Sequence, residues 1–239
     1  MVGAIQRSTL SEQVAKAIKE FITEGQLSPG DRLPSEPEFC QRFQVSRVVI
    51  REALKSLSAA GFVGIRHGKG VFIEAFNGKS IAEQLAFGLT EDTSLLKHMI
   101  EVRLIVECGA MDLAAIRGTE DDWRALREVL AQMRREAESG LSTAESDLRF
   151  HKVLLEAAKN EPLRRLGDVL VEFFRLVVAT FPPMSELYTP EEQVREHEAI
   201  LEAIMAGNAS EAKRLFREAL FRYLTLPARD ATESAGQQK

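Results

Sequence analysis

The chain has 239 residues, 45% hydrophobic and 28% charged, with a net charge of −5 at pH 7, the balance of an ordinary globular protein long enough for two domains. No run approaches the roughly 18 apolar residues of a membrane span, and "MVGAIQRSTLSEQ" lacks the apolar core and cleavage site of a secretory signal. Cys40 and Cys108 are isolated, which excludes a disulfide framework and a Cys-based zinc motif; a cytoplasmic chain with no membrane partner is expected. The charge is uneven. Residues 1–74 carry 10 Lys/Arg against 8 Asp/Glu (+2), and residues 75–239 carry 21 against 28 (−7). An acidic chain with a locally basic domain can still bind nucleic acid through that domain.

The spacing predicts a first helix from Ser8 to Glu24, with Leu10, Val14, Ala17, Ile18, Phe21 and Ile22 on one face and Gly25 as its stop. "LSPGDRLP" reads as a Pro-Gly turn. A second helix begins at "PSEPEF", where Ser35 and Glu38 have the spacing of a capping box and Pro37 falls in the first turn. It ends near Phe43. "QVS" then turns the chain into a third helix, Ser46 to Ala59, and the pair has a helix-turn-helix outline.

Ile50, Ala53, Leu54 and Leu57 form the apolar stripe of that third helix. Val48, Arg51, Glu52 and Lys55 point the other way, with Arg47 on the flank. Arginines near the start of an exposed helix suit the major groove, where a guanidinium bridges O6 and N7 of guanine, and Val48 suits a thymine methyl. The alternative is that Arg47 and Arg51 are solvated surface charges.

"GFVGIR" and "GVFIEA" are β-prone runs on either side of "HGKG", which reads as a hairpin. Its glycines do not make a nucleotide loop. Gly64 lies one residue too close to Gly68-Lys69 for a Walker motif, Gly70 replaces the required hydroxyl, and no helix follows to receive a pyrophosphate. A hairpin directly after a helix-turn-helix is a wing.

In these residues the chain resembles the GntR family of bacterial transcription regulators. The resemblance rests on "PGDRLPSEPEF", "VSRVVIREALKSLSAAGFV" and "RHGKGVFI", in that order and spacing. It implies a winged helix whose third helix reads the major groove and whose wing tip enters the minor groove. Arg47, Val48, Val49 and Arg51, with His67, Gly68 and Lys69 at the wing tip, are then the implied DNA contacts. Pro37 stands where many members have a phosphate-binding arginine, and Val48-Val49 replaces the commoner Thr-Pro or Thr-Thr. Loss of one phosphate contact lowers the log–log salt slope by about 0.9.

Residues 75–92 read as a linker with a short helix, residues 93–226 as a helical domain, and residues 227–239 as a disordered tail. Helices are expected over 79–88, 93–117, 120–138, 143–158, 161–180, 190–206 and 208–226, with acidic starts at "TEDDW" and "TPEEQ". Amphipathic helices with short connections make an antiparallel bundle. The fold class is therefore mainly α, a winged helix-turn-helix followed by an all-α antiparallel bundle.

Some polar residues fall on faces that should be buried. Asp147 and His151 are four apart, in line with Leu154 and Ala158, and His197 shares a face with Ile200, Leu201 and Ile204. A carboxylate and two imidazoles in a helical core form a workable site for zinc, nickel or manganese; core histidines satisfied by hydrogen bonds are the alternative. Arg103 lies on the same face as Met99, Ala110 and Ala114, and a buried guanidinium needs an anion. Glu107, one turn on, serves as an internal salt bridge; otherwise Arg103 clamps a ligand carboxylate bidentately. Asn160 and Arg175 are further effector-binding candidates.

"EVRLIVECGAMDLAA", "DLRFH" and "EHEAILEAIMAGNASEAKRLFREAL" resemble the FadR-type effector domain, called FCD, of the same family. That resemblance implies a small carboxylate effector beside a metal held by one Asp and three His. This chain departs at one ligand: Ala219 stands at the third histidine position, on the stripe of Ala212, Leu215 and Phe216. Three ligands and an open position can still hold a metal, and Tyr223 lies one turn beyond the gap. The expected protein is a dimeric regulator, a repressor of a catabolic operon, that binds a near-palindromic DNA operator and a small organic acid. A metal-dependent hydrolase built on Asp147, His151 and His197, and an architectural DNA binder without a ligand, are the alternatives.

Overall fold

A computed structural model of the chain describes residues 8–87, 94–180 and 189–224. The expected tail at 227–239, the side chain of Tyr223 and residues 88–93 of the expected linker lie outside the described residues. The chain divides into two compact units, residues 1–77 and 78–239.

In the first unit, α1 (Leu10–Glu24) starts two residues later than its periodicity suggests, because Thr9 and Glu12 form a capping box. α2 (Glu36–Phe43) begins at the expected box: the Ser35 N–H donates to the Glu38 carboxylate at 2.7 Å. Gln44, at φ +55°, ends it in the left-handed conformation. Ser46 caps α3 (Arg47–Ala59). Its stripe of Ile50, Ala53, Leu54 and Leu57 is buried against Ile18 and Phe39, and this cluster forms the core of the unit. β1 (Val63–Arg66) and β2 (Gly70–Ile73) pair antiparallel, Val63 opposite Ile73 and Arg66 opposite Gly70. The Lys69 N–H closes the turn onto the Arg66 carbonyl at 3.0 Å, and Gly68 sits at φ +70°, where a Cβ would be strained.

The segment read only as a Pro-Gly turn does more. After the turn, the Leu33 N–H donates to Val71 O at 2.8 Å and the Ile73 N–H to Asp31 O at 2.9 Å. Residues 30–33 therefore line the second edge of β2 and brace the wing. Four residues with no alternation give no strand signal of their own.

The second unit comprises α4 (Lys79–Ala86), α5 (Ser94–Arg117), α6 (Glu120–Glu138), α7 (Ala144–Ala157), α8 (Glu161–Thr180), α9 (Pro190–Met205) and α10 (Ala209–Leu224). Capping boxes at Thr119–Asp122 and Thr189–Glu192 start α6 and α9, as the acidic openings suggest. α7 packs against α5, α6 and α8, while α10 closes the bundle against α5 and α9. Met111, Leu126, Met133, Phe150, Phe173 and Phe216 are fully buried at its centre. α4, expected within a linker, buries Ala82 and packs on α8, so the second unit begins at Gly78. Among the described residues, no helix is long and apolar enough to cross a membrane.

Candidate functional site

Each unit presents one candidate site. In the first, Arg47, Val48 and Arg51 lie on the exposed side of α3, Val48 with 65% of its surface accessible. His67, Gly68 and Lys69 are exposed at the wing turn. Val49 differs from its neighbour: it is half-buried and packs against the core of the unit. Arg51 is not simply solvated, since its Nε donates to Glu36 Oε2 at 2.9 Å. That pair, between residues fifteen apart, has no signature in the sequence.

The second site lies inside the helical bundle. α7 contributes Asp147 and His151 one turn apart, and α9 contributes His197. His197 Nε2 is 3.0 Å from Asp147 Oδ1 and 3.1 Å from His151 Nε2, and His151 Nε2 is 3.5 Å from the same carboxylate oxygen. The two Nδ1 atoms are otherwise engaged. That of His197 donates to the Gln193 carbonyl at 2.8 Å, and that of His151 to Glu107 Oε2 at 2.5 Å. With both Nδ1 atoms protonated, the Nε2 lone pairs and a carboxylate oxygen face one another. Such a convergence of acceptors is satisfied by a proton on one Nε2 or by a cation.

The dimensions fit a cation. A triangle with sides of 3.0, 3.1 and 3.5 Å has a circumradius of about 1.9 Å, so a point about 2.1 Å from all three atoms, a usual metal–ligand distance, lies about 1 Å off their plane. The donors thus form one face of a coordination sphere and leave the opposite side open. The three donors share with Arg103, Glu196, Phe216 and Ala219 the lining of a cavity of about 30 Å³, with room for an ion or a water molecule. The outer partners of the imidazoles are those that orient metal-bound histidines, a carboxylate and a backbone carbonyl.

Arg103 and Glu107, both buried, project from α5 into this cluster. Arg103 Nε donates to Glu107 Oε1 at 2.8 Å; its Nη2 lies 3.7 Å from Asp147 Oδ2, and its guanidinium sits 4.9 Å above the Phe174 ring. The internal salt bridge is therefore present, and Arg103 also lines the cavity. Burial alone would raise the pKa values of Asp147 and Glu107. The positive charge of His151, its hydrogen bonds and Arg103 outweigh burial, holding Glu107 below and Asp147 well below the usual carboxylate range. At His151, burial and Arg103 act to lower the pKa, but Glu107 and Asp147 raise it above the ordinary imidazole value.

Two residues contribute that sequence reasoning missed. Gln193 Nε2 donates to Asp147 Oδ1 at 2.8 Å, and Gln193 Oε1 accepts from the Thr143 hydroxyl at 2.6 Å, which fixes the orientation of the Asp147 carboxylate. Gln193 precedes His197 by four residues, the same spacing that singled out Asp147 and His151, and could have been found from it. The other effector candidates lie elsewhere. Asn160 is not among the residues lining the cavity; its side chain accepts the Leu163 N–H at 3.2 Å and caps α8. Arg175 pairs with Glu145 at 2.7 Å and with Glu172, and it too is absent from the lining. In both cases a local partner uses the polar group that spacing alone left unassigned.

A wing-braced helix-turn-helix joined to an all-α unit with a cavity beside a buried charged cluster is the architecture of a two-part DNA-binding regulator. Comparison with known proteins agrees: residues 10–73 match the model of bacterial regulatory proteins of the gntR family, and residues 98–222 match the FCD domain. The chain is 33% identical over 197 residues to the HTH-type transcriptional regulator LutR of Bacillus subtilis, covering 81% of this chain and 90% of that one. It is 28% identical to the galactonate operon transcriptional repressor of Escherichia coli, covering 86% and 92% of the two chains. A solved GntR structure from Streptococcus agalactiae superposes with a TM-score of 0.76 at 25% identity, covering 90% of this chain and 98% of that one. The chain belongs to the GntR family, in its FadR-like branch with an FCD domain. It is a DNA-binding transcriptional regulator, and its helical unit is of the kind that binds small-molecule effectors. The hydrolase reading of the Asp–His cluster is set aside.

Proposed function

We propose that the chain is a homodimeric repressor of a catabolic operon, acting in the cytoplasm, whose operator affinity is set by a small organic acid that presents its carboxylate to the α5–α7–α9–α10 cavity. The observation that carries this reading is the lining of one cavity by the Arg103 guanidinium and the Asp147–His151–His197 cluster. A guanidinium, together with the positive centre that the Asp147–His151–His197 face would offer when metal-loaded, suits a carboxylate. Among the relatives, one is named for the galactonate operon and another as a putative L-lactate dehydrogenase operon regulator; galactonate and lactate are both hydroxy acids. That chemistry is the first to test here.

Asp147, His151 and His197 are the residues that would hold a divalent metal. Two imidazoles and one carboxylate suit zinc, nickel or manganese, and the metal would supply a positive centre with open positions for an anionic ligand. Ala219 leaves one side of the cavity without a donor. Elemental analysis of the purified chain is expected to find such a metal, with its content falling at least tenfold in His151→Ala. Metal content indifferent to that change would remove the site.

The DNA face proposed is Arg47, Val48 and Arg51 on α3, with His67, Gly68 and Lys69 at the wing, on a near-palindromic operator that mirrors a two-fold dimer. Effector binding favours one arrangement of the two winged helices over another. Fluorescence anisotropy on operator DNA, with galactonate, L-lactate and related acids added, tests the whole reading. A change in affinity of about 5–150-fold is expected with the cognate acid. In Arg103→Ala that response should disappear while operator binding without the acid stays within about twofold. A normal response in the variant would leave Arg103 with a structural role, and no response to any acid in the unaltered chain would favour an architectural DNA binder.

A further inference from the structure

The wing has two unlike faces. Val63, Val71 and Ile73 turn inward and are buried in the core of the first unit, with Leu33 beside them. Cross-strand partners share a face, and side chains alternate along a strand. Arg66 and Gly70, which pair, and Phe72, two residues on, therefore lie on the outer face. Arg32 joins them, because residues 30–33 line the other edge of β2 and Arg32 stands opposite Phe72. The outer face thus carries two arginines behind the tip residues His67 and Lys69.

The two arginines are differently engaged. The Arg66 guanidinium sits 4.6 Å above the Phe72 ring and pairs with Glu74 at 3.5 Å. Arg32 is exposed, and among the described residues its side chain makes no hydrogen bond and no ion pair. Its charge does reach Glu38, but that carboxyl is held below its usual range first by the Ser35 hydroxyl and N–H and only last by Arg32. The Arg32 guanidinium nevertheless has a defined place. Its Nε, Nη2 and Cζ lie 3.0, 3.3 and 3.5 Å from the point where a Cβ on Gly70 would stand, so the glycine leaves the space that the guanidinium fills. The backbone around Arg32 is fixed in turn, by the bond from the Leu33 N–H to Val71 O on one side and from the Ile73 N–H to Asp31 O on the other. A guanidinium is thereby held against the residue that follows Lys69.

We infer that Arg32 is a further DNA-contacting residue, one that binds a backbone phosphate beside the nucleotide reached by the wing tip. A planar guanidinium presents paired N–H donors that match phosphate oxygens. Phosphates follow one another about every 3.4 Å of axis along one strand, so a cation next to Gly70 meets the strand that Lys69 meets. Gly70 is set back from the turn at His67 and Gly68. Arg32 therefore faces the backbone that borders the groove, where a contact positions the protein and carries no base preference.

The inference rests on the reading of the wing as a DNA contact, and Lys69→Ala tests that reading alongside it. The probe is a fluorescein-labelled duplex of mixed sequence, since phosphate contacts supply nearly all of non-specific binding. Anisotropy titrations of the full chain over a series of salt concentrations give the log–log slope. Arg32→Ala is expected to reduce that slope by about 0.9, which makes binding about eightfold weaker at about 0.1 M salt when the curves meet at about 1 M. Arg32→Lys, which keeps the charge, is expected to retain the slope of the unaltered chain. An unchanged slope in Arg32→Ala, with a fall in Lys69→Ala, would overturn the Arg32 contact and leave the wing in place. An equal fall in Arg32→Lys would overturn it too, since a brace of the wing and not a charge on phosphate would then have been lost. Unchanged slopes in both alanine variants would remove the wing as a DNA contact, and Arg32 with it.

Discussion

Replacing Glu107 with alanine is expected to lower the unfolding free energy of the helical unit by about 3–5 kcal/mol, the usual cost of removing one partner from a buried ion pair. Glu107 is 1% exposed and joins Arg103 Nε at 2.8 Å to His151 Nδ1 at 2.5 Å. Without it, a buried guanidinium loses the carboxylate that Nε meets at 2.8 Å, while Asp147 stands 3.7 Å from Nη2. Trp123 is the single tryptophan and sits in α6, so its fluorescence during urea unfolding reports the helical unit alone. A loss below about 1 kcal/mol would mean that the cluster does not depend on the pair.

The same group sets a pH dependence. The folded state holds Glu107 and Asp147 below their ordinary values, so it binds fewer protons than the unfolded chain. Their contribution is present above the normal carboxylate range and is lost as pH falls through it toward the lowered folded values. The urea midpoint should therefore fall on acidification through the carboxylate range, and Glu107→Gln should shallow that dependence. An identical pH profile in the variant would show that Glu107 is not linked to folding.

The second large effect concerns DNA. Arg51→Ala is expected to weaken specific operator binding by about 1–3 kcal/mol, roughly 5–150-fold, while non-specific binding at the same salt changes far less. The Arg51–Glu36 pair adds a further expectation. Arg51 must leave or share the Glu36 carboxylate to bridge a guanine, so Glu36→Gln should leave operator affinity equal or higher. Anisotropy titrations at fixed salt measure both. Unchanged affinity in Arg51→Ala would remove α3 as the recognition helix.

Much of the secondary structure was legible because its signals are local. Ser35 with Glu38, Thr119 with Asp122 and Thr189 with Glu192 start helices through groups three residues apart, and the i, i+4 spacing of Asp147 and His151 placed both on one face of α7. Local spacing also identified the exposed side of α3 and the tight glycine turn of the wing. Such signals depend only on backbone geometry, which short segments carry with them.

Local signals were enough to assign which residues share a helix face, where helices begin, and that a winged helix precedes an all-α unit. Which faces meet emerged with the fold. It brought Glu107 to His151 across forty-four residues and Gln193 to Asp147 across forty-six, and drew Arg175 to Glu145 and Asn160 to the start of α8, neither among the residues that line the cavity. It also laid residues 30–33 along β2. Periodicity fixes the direction of a side chain only relative to its own helix axis. The partner it finds depends on how distant helices cross, and that is set by packing the whole core at once.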